Sequence, residues 1–171
     1  MSLTETRADL FGSLFVLLQH LSVRADAALV RLSLTSRQWL LLAVLSRRFP
    51  GTQPTLSQAA EAYGTSRQNV KKIALQLATT GYVELVRDPA DRRVTRLRLT
   101  TKVDLFDSPD GRDLQEKLLA EAFGSLTAAE TRSLLDLIGL CTPARTRPRD
   151  TDADELTPAP PPTPPDPRRD R

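Results

Sequence analysis

Between Gly64 and Lys102 nine basic side chains stand against three acidic ones, a local charge of +6 in a 171-residue chain whose net charge is only +3. Within that stretch the residue types suit hydrogen bonding to nucleic acid. Ser66, Arg67, Gln68, Asn69, Lys71, Lys72 and Gln76 form one polar run. Arg and Lys favour guanine edges, and Asn and Gln can bond adenine through two hydrogen bonds. Arg92, Arg93 and Arg96 make a second cationic group, suited to phosphates or to a narrow minor groove. Asp91 precedes the arginine pair and could hold an arginine in place through a charge-assisted bond. The plainer reading of such a run is a solvated basic face. What disfavours it is that the cations gather on one helix face and at one hairpin tip.

Other chemistry finds little support. No nucleophile–base pair, phosphate-binding glycine loop or dinucleotide motif is visible, so no enzyme and no cofactor are expected. A single histidine, His20, and a single cysteine, Cys141, do not make a zinc site in one chain, nor a disulfide framework. Asp104, Asp107 and Asp110 lack the closing Glu of a calcium loop, so an acidic solvated connector is expected there. Cys141, at the end of an apolar helix, reads as a packed residue.

The elements that must position the cations follow from spacing. Val70, Ile73, Ala74 and Leu77 recur at i, i+3, i+4 and i+7, one face of a helix. Ser66 is the favoured N-cap over Thr65, and Gly81 closes the helix. Stepping about 100° per residue places Gln68 and Lys72 opposite the apolar face, flanked by Asn69, Lys71 and Gln76. Tyr82–Arg87 and Val94–Leu99 then alternate with period two around an Asp-Pro-Ala-Asp-Arg turn, which predicts a hairpin with Arg92 and Arg93 at its tip. Upstream, Thr55 and Gln58 form a capping box before Leu56, Ala59, Ala60 and Tyr63, and Gly64 ends that short helix. The spacing is that of a helix-turn-helix. A further capping box, Thr35 to Gln38, with Leu34 and Trp39 at the staple positions, opens a helix that stops before Pro50-Gly51.

The helix, Gly81-Tyr82-Val83, Asp88-Pro89-Ala90-Asp91-Arg92-Arg93 and Leu97-Arg98-Leu99-Thr100 resemble the winged helix-turn-helix of the MarR (multiple antibiotic resistance regulator) family. The resemblance is sharpest from Leu34 to Lys102. One departure is that a Gly usually follows the Leu-Thr, where this chain has Thr101-Lys102-Val103. Ser108-Pro109-Asp110-Gly111-Arg112 would be its displaced equivalent, with an insertion between wing and helix. The resemblance implies a mainly α fold with a small β-hairpin wing, and N- and C-terminal helices forming a dimer platform. It also implies a sequence-specific DNA-binding regulator, a homodimer on a pseudo-palindromic operator. Such proteins are commonly repressors modulated by small phenolic or lipophilic acids, which bind between platform and reading head; Phe11, Phe15 and Trp39 are the candidate pocket residues. A winged-helix module that binds protein rather than DNA is the alternative.

The flanks fit this plan. Thr4 to about Arg31 carries Leu10, Leu14, Leu17, Leu18, Leu21, Ala25 and Ala28 at helical spacing, more apolar surface than the edge of a small domain needs. A helix is expected over Asp113–Phe123 and another after the Thr127–Glu130 capping box, so that dimerisation helices would cover about 4–31 and 108–141. Residues 1–141 make one domain, large enough for a single core. From Thr142 onward nine of thirty residues are proline, which predicts a disordered or extended tail over 142–171. No apolar run approaches the about 18 residues of a membrane span, and no signal peptide is visible, so the expected location is cytoplasmic.

Overall fold

The computed structural model describes residues 2–141. The Pro-rich tail expected over 142–171 lies outside the described residues. The order of elements is α1 (Leu3–Leu29), a 3-10 turn (Val30–Leu32), α2 (Ser36–Arg48), α3 (Leu56–Tyr63), α4 (Arg67–Thr79), β1 (Val83–Arg87), β2 (Thr95–Leu99), a 3-10 helix (Thr101–Asp107), α5 (Pro109–Phe123) and α6 (Ala128–Cys141). The fold is thus mainly helical with one antiparallel hairpin, as expected.

Local chemistry sets most boundaries. Thr35 and Gln38 cap α2 reciprocally, and Thr55 and Gln58 do the same for α3. Thr127 and Glu130 exchange bonds ahead of α6. Ser66 accepts from the Asn69 amide at the start of α4. Gly64 and Gly81 end α3 and α4 with φ of +79° and +78°, left-handed backbone that a Cβ would strain.

Two expectations are corrected. The connector after the wing is not a plain acidic loop but the 3-10 helix Thr101–Asp107, and α5 begins at Pro109 rather than Asp113, with Ser108 as its cap. Proline suits the first helical position, where its missing N–H costs nothing. Gly111 is buried where the two helices meet. A Cβ there would lie 2.2 Å from the Leu105 carbonyl oxygen, so the close approach requires glycine.

The core sits under the helix-turn-helix. Leu41 and Leu45 of α2, Leu56 and Ala59 of α3, and Val70, Ala74 and Leu77 of α4 close against Tyr82, Val83 and Leu97 of the hairpin. Fully burying each large apolar side chain stabilises by about 1.5–3 kcal/mol. From α1, Ala25 and Leu29 reach this core. The rest of α1 does not: Leu10, Phe11, Phe15, Val16 and Leu18 are each more than half exposed. Leu135, Leu137 and Leu140 of α6 are 60–84% exposed. Cys141, expected to be packed, is also exposed.

By length and composition the helical segment Leu3–Leu32 is apolar enough to cross a membrane, with mean hydropathy 1.3 over its most apolar window. A count of uninterrupted apolar residues misses this. Ser13, Gln19, His20 and Ser22 break the run without adding charge, and no Asp, Glu, Lys or Arg falls between Leu10 and Val23.

Candidate nucleic-acid interface

The α4 helix is held along its apolar face and at its C-terminal end. Val70, Ile73, Ala74 and Leu77 turn into the core, as their spacing predicts. At its C-terminal end Lys102 Nζ donates to the Thr80 carbonyl (2.7 Å), a cation on the negative end of the helix dipole. The same ammonium sits 4.4 Å from the centre of the Tyr82 ring. Tyr82 is itself pinned: its hydroxyl donates to the Leu32 carbonyl (3.0 Å) and its ring stacks on Phe106. Burial raises its pKa above the usual tyrosine value, which keeps the hydroxyl protonated as a donor.

What this leaves in solvent is the polar face of α4. Arg67, Gln68, Asn69, Lys71, Lys72 and Gln76 are all exposed, as is the capping Ser66. Two of them are partly engaged. Asn69 Nδ2 donates to the Thr65 hydroxyl (3.1 Å), and Gln76 Oε1 accepts from Gln38 Nε2 of α2 at a long 3.4 Å. Gln68 and Lys72, opposite the core, make no side-chain hydrogen bond or ion pair among the described residues.

In the wing, β1 and β2 pair antiparallel with Val83 opposite Leu99 and Arg87 opposite Thr95. Thr100, the threonine that closes β2, donates to the Gly81 carbonyl (2.7 Å) and so ties the strand end to the α4 exit. At the tip Asp91 Oδ1 accepts from the Arg93 backbone amide (2.9 Å). That differs from the expected grip on an arginine side chain: Asp91 shapes the turn. The side-chain grip belongs to Asp88, which is only 6% exposed. Its carboxylate ion-pairs with Arg96 and accepts from the amides of Ala90 (2.7 Å) and Asp91 (3.1 Å). Arg96 and those two amides hold the Asp88 pKa below the ordinary carboxylate value.

Arg96, expected to face DNA, is thus engaged within the fold, with its side chain 35% exposed. Its second nitrogen donates to the Gln53 carbonyl (2.9 Å). Alongside, the Leu97 amide donates to the Pro54 carbonyl (2.9 Å), and Thr55 bridges Arg96 as a short third edge of the sheet. Sequence spacing does not suggest this edge. Arg98 pairs with Glu84 directly across the hairpin, and Arg87 reaches the Arg92 carbonyl and the Thr95 hydroxyl. Of the nine cations in the segment, Arg87, Arg96, Arg98 and Lys102 are thus engaged internally. Arg67, Lys71 and Lys72 on the helix, and Arg92 and Arg93 at the wing tip, make no side-chain hydrogen bond or ion pair among the described residues.

One further cation belongs near this surface although the sequence does not single it out. Arg37 is exposed on the first turn of α2, and its carbonyl accepts from the Tyr63 hydroxyl (3.2 Å) beside the α3–α4 turn. Its charge opposes the rise that burial imposes on the Tyr63 pKa. Its position, two residues past the capping Thr35, carries no signal beyond charge.

Of the three expected pocket residues, the rings of Phe11 and Phe15 are in contact with each other and neither is in ring contact with Trp39 among the described residues. Trp39 packs half-buried against the core. Phe11 and Phe15 touch each other, centroids 4.8 Å apart, but are 65% and 60% exposed. Phe15 stands ten residues before Ala25, where α1 meets the core, about 15 Å away along the helix axis.

Comparison with known proteins agrees with this geometry. A model of the MarR family matches residues 32–94. The chain shares the winged helix-turn-helix fold of solved MarR structures. Among solved structures, a MarR transcriptional regulator from Methanosarcina mazei Go1 superposes with a TM-score of 0.67 at 18% identity, covering 78% of this chain and 94% of that one. A mutant MarR from E. coli complexed with operator DNA gives 0.65 at 18% identity, covering 84% and 100%. Bordetella bronchiseptica BpsR, whose DNA binding is regulated by 6-hydroxynicotinic acid, gives 0.59 at 23% identity, covering 76% and 90%. No curated protein matches the sequence.

Proposed function

We propose that this chain is a sequence-specific DNA-binding transcriptional regulator that acts in the cytoplasm as a homodimer on a pseudo-palindromic operator. The observation that carries the reading is the distribution of free charge. Four cations of the basic segment are engaged inside the fold, while Arg67, Lys71 and Lys72 of α4 and Arg92 and Arg93 of the wing are left to solvent. Gln68 and Lys72 then read base edges in the major groove, and the wing arginines bind phosphate or minor groove. Two copies of α4 related by a two-fold axis would meet successive major grooves about 34–36 Å apart.

The unpartnered apolar faces support the dimer. A 14-residue helix such as α6 is marginal alone in water, and Leu135, Leu137 and Leu140 need a surface to cover them. The exposed flank of α1 supplies one on a second copy. A membrane span is the less favoured use of α1. Its Ala25 and Leu29 are seated in the reading-head core, and Arg24 donates to the Glu121 carbonyl of α5 (2.7 Å).

Repression, and its relief by a small phenolic or lipophilic acid lodged between platform and reading head near Trp39, complete the proposal; the BpsR comparison supports the effector class. Selection of bound duplexes from a random pool, followed by titration with such acids, tests it. Enrichment of an inverted repeat is expected. Failure to retain any duplex, with a partner protein retained instead, would favour the protein-interaction module.

A further inference from the structure

Arg92 and Arg93 can meet DNA usefully only if the hairpin holds a fixed angle to α4, yet a lone two-stranded hairpin is marginally stable in water. The structure contains a brace at this point. Asp88 follows the end of β1, and Arg96 lies opposite Val86, two residues before it, so the two are diagonal neighbours on one face of the hairpin. Arg96 reaches from Asp88 to the Gln53 carbonyl, and Gln53 belongs to the segment leading into α3. The Leu97–Pro54 backbone bond and the Thr55 bridge run beside it. One guanidinium thus joins the wing to the first helix of the helix-turn-helix, and the same carboxylate shapes the wing turn through Ala90 and Asp91.

We infer that Asp88 and Arg96 are positioning residues for the wing: the Asp88–Arg96–Gln53 brace sets the wing's contribution to DNA affinity although neither side chain need touch DNA. This rests on the DNA-binding reading above. It follows from geometry that a planar fork can satisfy a carboxylate and a carbonyl together, whereas an ammonium is a single point.

The test compares Asp88→Asn and Arg96→Lys with the wing-tip change Arg92→Ala/Arg93→Ala in the full chain. Asp88→Asn keeps a side-chain oxygen for the turn but removes the ion pair. Arg96→Lys keeps the charge but cannot span both acceptors. Each brace variant should weaken duplex binding severalfold and flatten the salt dependence as the wing-tip change does, by about 0.9 in log–log slope for each phosphate no longer neutralised. Combined with the wing-tip change, each should add nothing, and base preference read by Gln68 should persist. In the free protein, hydrogen exchange should quicken at the Leu97 amide and stay unchanged at Leu77. If Asp88→Asn fails to fold, Arg96→Lys carries the test alone. Unchanged affinity and slope, effects that add to the wing-tip change, or unaltered Leu97 exchange would each overturn the brace. A wild type without salt-dependent duplex affinity would overturn the DNA-binding reading and this inference with it. Normal wild-type binding with inert brace variants would sink the brace alone.

Discussion

The helix-turn-helix with its wing and the terminal helices bury their apolar residues in opposite ways. In the first, every predicted inward position from Val70 to Leu77 is closed off within one chain. In the second, α1 and α6 turn large apolar side chains to solvent. Each part therefore draws its stability from a different source. The reading head is held by its own core, while the terminal helices leave large apolar side chains in solvent.

Truncating the same side chain in both places puts that contrast at greatest risk. Leu77→Ala, at a position with no exposure, should cost about 2–5 kcal/mol of unfolding free energy in urea titration. A cost below about 1 kcal/mol would mean the reading head is not the stable core described. Gly111→Ala comes next. Its Cβ would press on the Leu105 carbonyl, and overpacking of this kind costs about 1–3 kcal/mol. That destabilisation should appear in thermal melts, because the joint between wing and platform has no room to give.

Leu135→Ala turns the contrast round. At 68% exposure it should barely change the unfolding of an isolated chain, yet raise the dimer dissociation constant about tenfold, or 1.4 kcal/mol. Sedimentation across a dilution series reads this. An unchanged constant would remove Leu135 from the interface.

The smallest effect concerns acid. Asp88 has its pKa lowered in the folded state from the ordinary carboxylate value of 3.8. A depressed carboxylate pKa contributes stability that is full above the unfolded value and lost as pH falls through the folded one. The stability gap between wild type and Asp88→Asn should therefore be flat at neutral pH and shrink only below about 4. A gap that already closes near pH 6 would contradict the pairing with Arg96.

Much of the reading head is legible in the sequence because its signals are local. Capping boxes at Thr35, Thr55 and Thr127, the Ser66 cap and the glycines at 64 and 81 each act within four residues. The polar face of α4 follows from period alone. The internal partners of Arg96 are not legible this way, because strand alternation tells only which face a side chain takes. Whether that face meets solvent or the Gln53 carbonyl, 43 residues earlier, is a property of the tertiary fold. That Asp88 rather than Asp91 grips an arginine side chain is hidden for the same reason. The 3-10 helix at Thr101–Asp107 is hidden by its aspartates, which resemble loop composition.

Whether the free cations of α4 and the wing bind duplex DNA decides everything else proposed for this chain. The measurement is affinity against salt concentration, for wild type and for Arg92→Ala/Arg93→Ala, on a selected inverted repeat. The wild type should weaken steeply as salt rises, and the double change should bind less tightly with a slope reduced by about 0.9 for each phosphate no longer neutralised. Wild-type affinity that is absent or indifferent to salt would contradict DNA binding by these cations.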